Sequence, residues 1–126
     1  MSKKIYIAGP MRGYNDFNFP AFDGMQTLLS KRGWVVISPT DLDRVFEGWC
    51  DYPPEGSTFP DPDPFIIRDV VALMQCDAIV MLCGWQHSVG ATAEHAIAKW
   101  RGMEIYYEGK GEVPVCPTLD GSDSSS

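Results

Sequence analysis

The stretch from residue 78 to residue 101 most constrains what this chain can fold into. An apolar run over residues 78–83 is typical of a buried strand. Gly84 marks a turn, and a short polar loop follows it. An alanine-rich segment from about residue 91 to residue 101 then predicts a helix. A strand, a short loop and a helix N-terminus gather unpaired backbone N–H groups at the carboxyl end of a sheet, where open α/β folds bind ligands. We therefore expect the functional site here.

The rest of the chain alternates strands and helices in the same way. Strands are predicted at residues 4–8, 34–37, 78–83 and 104–107. Helices are predicted from Pro20 to Gly33, at 65–75 and at 91–101, with one or two helical turns at 41–46. This order predicts a small doubly wound α/β sandwich, flavodoxin-like or Rossmann-like, with a mainly parallel sheet of about four to five strands.

The length of 126 residues, 44% of them hydrophobic, fits one compact domain. We assign residues 1–108 to the α/β domain and residues 109–126 to a C-terminal extension whose serine-rich tip we expect to be disordered. Residues 48–64 contain five prolines and predict a long surface loop. Such a loop is either a lid over a site or a variable insertion, and the sequence leaves both open.

Charge and composition limit the classes of partner. The net charge of −7 argues against binding to a nucleic-acid polymer or an anionic membrane surface. No apolar segment approaches the roughly 20 residues that span a bilayer, and no signal-peptide pattern is present, so we expect a cytoplasmic protein. The four cysteines show no metal-ligand spacing, so we predict neither a metal site nor a cofactor. Cys76 and Cys83 are expected to be small core residues.

A parallel sheet brings the loops after the first and third strands to one edge, which would join Tyr6, Arg12, Ser88 and Glu94. Glu94 is expected in the first turn of its helix. A carboxylate there either stabilises the helix through its macrodipole or attacks a sugar carbon as a nucleophile. Ser88, expected two residues before the helix, is either an N-cap or a donor to a phosphate or a sugar hydroxyl.

Three further residues have two interpretations each. Arg12 lies in a loop with Gly9 and Gly13. Its guanidinium is either solvated or donates two hydrogen bonds to a phosphate. Asp69 is either a polar residue of an amphipathic helix or the acid that assists a leaving base. Trp85 either stacks on a planar base or anchors the core. The residues alone do not decide between these alternatives.

Four motifs carry a resemblance to a known enzyme family. They are IYIAGPMRG at residues 5–13, RD at 68–69, CDAIV at 76–80 and SxGxxxE at 88–94. The sequence resembles the nucleoside 2-deoxyribosyltransferase superfamily, including its branch of 2'-deoxynucleoside 5'-monophosphate N-glycosidases. It is also similar to a short form of this fold found in many uncharacterised bacterial and phage proteins. The resemblance spans about residues 4–107.

The resemblance implies roles for individual residues. Glu94 would be the nucleophile that attacks C1' and expels the base, Tyr6 would orient its carboxylate, and Asp69 would be an acid near the base. The implied substrate-binding residues are Gly9, Arg12, Gly13, Ser88, Gly90 and Trp85.

Position 88 bears on the substrate. The transferases that the sequence resembles carry an acidic residue here, whereas the monophosphate hydrolases carry serine, which tolerates a phosphate. Ser88 with Arg12 therefore favours a 5'-phosphorylated ligand, because a carboxylate in that place would repel it.

These features lead to an expectation of an N-glycosidase that cleaves the base–sugar bond of a (2'-deoxy)nucleoside 5'-monophosphate through a covalent intermediate on Glu94. One alternative is a nucleoside 2-deoxyribosyltransferase that exchanges bases. An alternative of another class is a non-catalytic nucleotide-binding or sensing module. By analogy with the family we expect a homodimer or larger oligomer, located in the host cytoplasm if the protein is phage-encoded.

Overall fold

The computed structural model describes residues 3–11, 14–47, 63–111 and 114–116. It confirms the expected α/β fold. In chain order the elements are β1 (Lys4–Ala8), α1 (Phe19–Lys31), β2 (Val35–Ile37), α2 (Pro39–Glu47), α3 (Asp63–Met74), β3 (Ala78–Met81), α4 (Val89–Arg101) and β4 (Glu104–Tyr107). Short 3-10 turns lie at Asn15–Asn18 and Trp85–His87. None of the helices in the described ranges is long and apolar enough to cross a membrane.

The sheet is four-stranded and parallel, in the order β2-β1-β3-β4. Tyr6 of β1 is in register with Ile37 on one side and Ile79 on the other, so β1 is a central strand. The strand order reverses direction between β1 and β3. In open α/β sheets such a switch point opens a crevice at the carboxyl ends of the strands, and ligands bind there.

Helices cover both faces of the sheet, which explains why the central strands are continuously apolar. Ile5 and Ile7 point towards α1, where Phe22 and Leu29 complete one core cluster. The alternate residues of β1 point the other way, because successive side chains of a strand face opposite sides. Tyr6 therefore lies in the second cluster, under α3 and α4.

The loops after β1 and β3 contact each other, as the parallel order predicts. A Cβ added to Gly9 would lie only 2.8 Å from Leu82 Cβ, so the two chain segments approach closely because residue 9 has no side chain. Gly84 has a positive φ of +87°, and a Cβ there would lie 2.8 Å from Tyr14 Oη. The crevice is therefore bounded by two loops packed on each other.

The chain between β1 and α1 reverses through a left-handed segment. Asp16, Phe17 and Asn18 have φ values of 52°, 51° and 64°. Left-handed backbone costs a non-glycine residue roughly 1–2 kcal/mol, so neighbouring contacts must hold it. One such contact is the hydrogen bond that Asn18 Nδ2 donates to the carbonyl oxygen of Pro10, 2.8 Å away.

Several predicted boundaries were wrong. The segment predicted as one or two turns at 41–46 is a nine-residue helix that begins at Pro39. Its start is set by Ser38, whose Oγ lies 3.3 Å from the Thr40 amide. Helix α3 begins at Asp63, so the last two residues of the predicted 48–64 loop are helical, and residues 48–62 lie outside the described residues. The smaller differences are that α1 begins at Phe19, β2 begins at Val35, β3 ends at Met81 and α3 ends at Met74.

The cysteine prediction was half right. Cys76 is buried, and its Sγ lies 3.4 Å from the Ala72 carbonyl oxygen. Cys83 is exposed because β3 ends two residues before it, and its amide donates instead to Glu108 Oε1 at 2.8 Å.

Part of the predicted C-terminal extension packs against the domain. The amide of Cys116 donates to the Arg32 carbonyl oxygen at 2.9 Å, and Trp34 Nε1 donates to the Pro114 carbonyl oxygen at 2.9 Å. Cys116 is buried in the core cluster under α1. The predicted disordered tip lies outside the described residues.

Candidate functional site

The centre of the candidate site is a hydrogen bond between β1 and α4. Tyr6 is fully buried, and its hydroxyl donates to Glu94 Oε2 at 2.7 Å. The strand alternation directs Tyr6 towards α4, and the helical turn directs Glu94 back towards the sheet. The structure therefore brings together the two residues that are 88 positions apart in the sequence.

The surroundings favour the protonated form of Glu94. Burial raises its pKa from 4.5 to about 8; the hydrogen bond from Tyr6 lowers it, the charge of Asp69 raises it and Arg68 lowers it. Burial also raises the pKa of Tyr6 well above its ordinary value, and the charge of Glu94 adds to that effect. Around neutral pH the tyrosine is therefore a neutral donor, and most molecules carry a protonated Glu94.

A buried charge cluster lies beside this pair. Arg68 Nε donates to Asp69 Oδ1 at 2.7 Å, and Arg68 Nη2 lies 2.6 Å from Asp43 Oδ1. The side chains of Arg68 and Asp43 are only 9% and 3% exposed. Burial raises the pKa of Asp69, an effect that Arg68 partly opposes. Asp69 is thus a second carboxyl group with a raised pKa next to Tyr6 and Glu94.

The N-terminus of α4 differs from the prediction. The helix begins at Val89, two residues earlier than expected, so Ser88 is its N-cap and accepts from the Ala91 amide at 3.1 Å. Glu94 then lies in the second turn, and its predicted position in the first turn was wrong. The helix macrodipole acts mainly within the first turn. Glu94 is consequently positioned by its hydrogen bond with Tyr6. In the second turn its carboxylate gains little stabilisation from the positive end of the helix macrodipole.

The other predicted binding residues take different positions. Gly9 packs on Leu82, whereas Gly90 is exposed in the first turn of α4, with no heavy atom within 4 Å of an added Cβ. Trp85 stacks on the His95 ring with a centroid distance of 4.3 Å, and Tyr107 lies beyond. Arg12 and Gly13 lie outside the described residues.

Most of the chain matches one protein family. Residues 3–107 match the family described as "Domain of unknown function (DUF4406)". The chain belongs to this DUF4406 family. A search of curated proteins finds no match.

The sequence prediction of this DUF4406 site missed Asp43 and gave Arg68 no role. Asp43 follows β2, whose carboxyl end points to the same edge of the sheet as those of β1 and β3. That topological position is the signal that could have identified Asp43. Arg68 was visible as the neighbour of Asp69 in the RD motif, but its contact with α2 joins residues 25 positions apart and leaves no local pattern.

A cavity of about 340 Å³ opens at the carboxyl ends of β3 and β4 of the DUF4406 domain. Its lining includes Gly84, Trp85, Tyr107 and Glu108, and neither Tyr6 nor Glu94 contributes to it. We therefore define the candidate site by the Tyr6–Glu94 hydrogen bond and the charges around it. A reaction needs groups that can attack or transfer a proton, and the size of a cavity does not supply them. Within the described part of the chain, no group of three His, Cys, Asp or Glu side chains is arranged to hold a metal ion.

Proposed function

We propose that this DUF4406 domain is an N-glycosidase that cleaves the base–sugar bond of a (2'-deoxy)nucleoside 5'-monophosphate. The observation that carries the proposal is the hydrogen bond from Tyr6 to Glu94 at the switch point of the sheet. Asp69, a second carboxyl group with a raised pKa, supports it. Two carboxyl groups with separate roles are what glycosidic bond cleavage requires.

In the proposed first step, an oxygen of ionised Glu94 forms a bond to C1' of the sugar. The bond from C1' to the base nitrogen breaks, and its electron pair leaves with the base. Protonated Asp69 supplies the proton that neutralises this leaving group. The burial that raises the pKa of Asp69 favours such a proton donor.

In the second step, water attacks C1', the bond to Glu94 breaks and the sugar phosphate is released. Asp69, now ionised, takes the proton of the attacking water and is ready for the next cycle. Tyr6 donates to Glu94 Oε2, first in the carboxylate and then in the glycosyl ester, and so orients the other oxygen for attack on C1'. Ser88 can contact the 5'-phosphate while it caps α4, because its hydroxyl accepts from Ala91 and its own proton remains to be donated.

The test is a screen of nucleoside monophosphates for release of free base, measured by chromatography. Glu94→Gln keeps the shape of the side chain and the contact with Tyr6, and we expect it to reduce base release by at least ~10²-fold. Glu104→Gln is the control, because Glu104 is exposed on β4. Base release by Glu94→Gln at the wild-type rate would refute the assignment. A second free base added to the reaction separates hydrolysis from base exchange, since only a transferase produces a new nucleotide.

One observation favours a second candidate, a nucleotide-binding module without turnover. With a pKa of about 8, Glu94 is mostly protonated at neutral pH in the free protein and is then a poor nucleophile. A module would bind a nucleoside monophosphate in calorimetry and release no base even at pH 9. The N-glycosidase proposal instead requires base release over the pH range in which Glu94 is ionised while Asp69 keeps its proton.

A further inference from the structure

We propose that Arg68, held in place by Asp43, is a positioning residue that fixes the Asp69 carboxyl group so that its acid proton is carried on Oδ2. The inference rests on the proposed function, in which Asp69 protonates the leaving base. Arg68 contacts neither the base nor the sugar in this scheme and acts through Asp69 alone.

The contacts between Arg68 and Asp69 converge on one carboxyl oxygen. Arg68 Nε donates to Asp69 Oδ1 at 2.7 Å, and Arg68 Nη2 lies 2.6 Å from the same atom. The other oxygen, Oδ2, receives no hydrogen bond from the described part of the chain. A guanidinium is a donor only, so the oxygen that faces it serves as an acceptor. The proton of a protonated Asp69 therefore belongs on Oδ2.

The exposure of the three side chains agrees with this assignment. Those of Asp43 and Arg68 are 3% and 9% exposed, whereas that of Asp69 is 21% exposed. The arginine end of the cluster is thus closed to a ligand, and Asp69 is the member that a ligand can reach. Because Oδ1 is turned towards the guanidinium, Oδ2 is the oxygen available to a substrate.

Asp43 supplies the second anchor that the guanidinium needs. Neighbouring residues of a helix point about 100° apart, so Arg68 contacts Asp69 only if its long side chain bends sideways along α3. Such a side chain has many rotamers and is costly to hold in one of them. Asp43 of α2 lies 2.6 Å from Arg68 Nη2, the same nitrogen that contacts Asp69. Carboxyl groups on two helices therefore hold one guanidinium between them.

The arrangement suits both steps of the proposed reaction. In the first step the proton moves from Asp69 Oδ2 to the base as the bond from C1' to the base nitrogen breaks, and Arg68 stabilises the carboxylate that remains. In the second step Oδ2 takes a proton from the attacking water, and Arg68 keeps its own charge throughout. Burial raises the pKa of Asp69 and Arg68 lowers it, so the group is able both to donate and to accept.

The test compares two substrates that differ in how much they need the acid. Guanine leaves 2'-deoxyguanosine 5'-monophosphate as an anion unless it is protonated, whereas the N7-methylated base already carries a positive charge and leaves as a neutral molecule. For a protein that accepts only pyrimidines, 2'-deoxyuridine 5'-monophosphate and its 5-fluoro derivative replace this pair. Base release in a single turnover, with protein in excess over nucleotide, reports the first step alone.

We expect Arg68→Lys to slow base release from the unmodified nucleotide by at least ~10-fold, because lysine keeps the charge and loses the planar fork. Asp43→Asn keeps the size of its side chain, loses the second anchor and should have the same effect. Release from the methylated nucleotide should stay close to the wild-type rate in both variants. Asp69→Asn, which removes the acid itself, should give the same pattern with a larger loss.

Arg44→Lys is the matched control, because Arg44 lies on α2 and pairs with the partly exposed Asp23 and Asp41. It should slow release from neither nucleotide. Circular dichroism verifies that each variant is folded, and Asp43→Asn carries the test if Arg68→Lys is not.

Two outcomes would overturn the positioning role of Arg68. An arginine that is only structural would slow release from both nucleotides equally when it is replaced, and an arginine without a role would leave both rates unchanged. A wild type that releases no base from any nucleotide would have a different meaning. It would overturn the N-glycosidase proposal and this inference with it.

Discussion

Arg68 Nη2 lies 2.6 Å from Asp43 Oδ1, and this contact ties α3 to α2 across the carboxyl edge of the sheet. The same guanidinium contacts Asp69, and its charge lowers the pKa of Glu94. One buried cation therefore balances several carboxyl groups of the candidate site. Its removal would take this charge away from buried carboxyl groups, and breaking a buried ion pair by removing one partner costs far more than the intact pair contributes to stability.

We expect Arg68→Met to lower the free energy of unfolding by about 3–5 kcal/mol, because the change removes one partner of a buried ion pair with Asp43. Arg44→Met is the control. Its partners Asp23 and Asp41 are 33% and 44% exposed and would be solvated, so its loss should be only about 1 kcal/mol. Urea denaturation measures both. Equal losses in the two variants would mean that the Arg68 cluster is as well hydrated as the surface.

The stability of the protein should depend on pH through Glu94. Its pKa is raised from 4.5 to about 8 on folding, so the folded state holds the proton more tightly than the unfolded chain does. The resulting stabilisation is complete below about pH 4.5 and is lost as the pH rises towards 8. It amounts to a few kcal/mol at most, at about 1.4 kcal/mol per pKa unit.

Glu94→Gln isolates this effect, because glutamine does not titrate and all other groups are shared. The difference in unfolding free energy between variant and wild type should increase in favour of the variant from pH 5 to about pH 8 and level off above it. A difference that stays constant over this range would show that the pKa of Glu94 is not raised.

Tyr6→Phe should raise the pKa of Glu94 further, because the hydroxyl that stabilises the carboxylate is lost. Carbon NMR of the glutamate side-chain carboxyl groups would follow this titration directly. If the domain is an N-glycosidase, the pH at which base release reaches half its maximum should move upward with it. Tyr106→Phe is the control, since that hydroxyl contacts the exposed Glu104 at 3.2 Å. An unchanged Glu94 titration would mean that the Tyr6 hydrogen bond does not form in solution.

Gly9→Ala should destabilise the protein by about 1–3 kcal/mol, because the new methyl group overlaps with Leu82. Gly90→Ala should do the opposite. It adds a Cβ in open space within a helix, and the gain in helix propensity is about 0.5–1 kcal/mol. Thermal unfolding compares the two. A Gly9→Ala variant as stable as the wild type would show that the close approach of residue 9 to Leu82 does not exist in solution.

Ser88→Asp separates the two roles of Ser88. Aspartate caps a helix as well as serine does, so the stability should hardly change, whereas Ser88→Ala should lose about 1 kcal/mol. If the substrate carries a 5'-phosphate, the carboxylate should repel it and reduce base release from the monophosphate more than from the nucleoside. Equal effects on both substrates would place the phosphate elsewhere.

The fold could be predicted from the sequence because its signals are local. Apolar runs such as residues 78–83 and the helical spacing around Phe22 and Leu29 were sufficient to predict a parallel α/β sheet, and that topology brought Tyr6 and Glu94 to one edge. What could not be predicted depends on long-range contacts. The pairing of Arg68 with Asp43 is set by how α2 and α3 pack, and the exposure of Cys83 by where β4 ends its pairing with β3.

The central position of β1 has a dynamic consequence. Because it is hydrogen-bonded to β2 on one side and β3 on the other, its amide hydrogens should exchange with solvent only when the whole domain opens. Tyr6 therefore belongs to the most slowly opening part of the protein. The tyrosine hydroxyl therefore holds its hydrogen bond with Glu94 from the best-protected strand of the sheet.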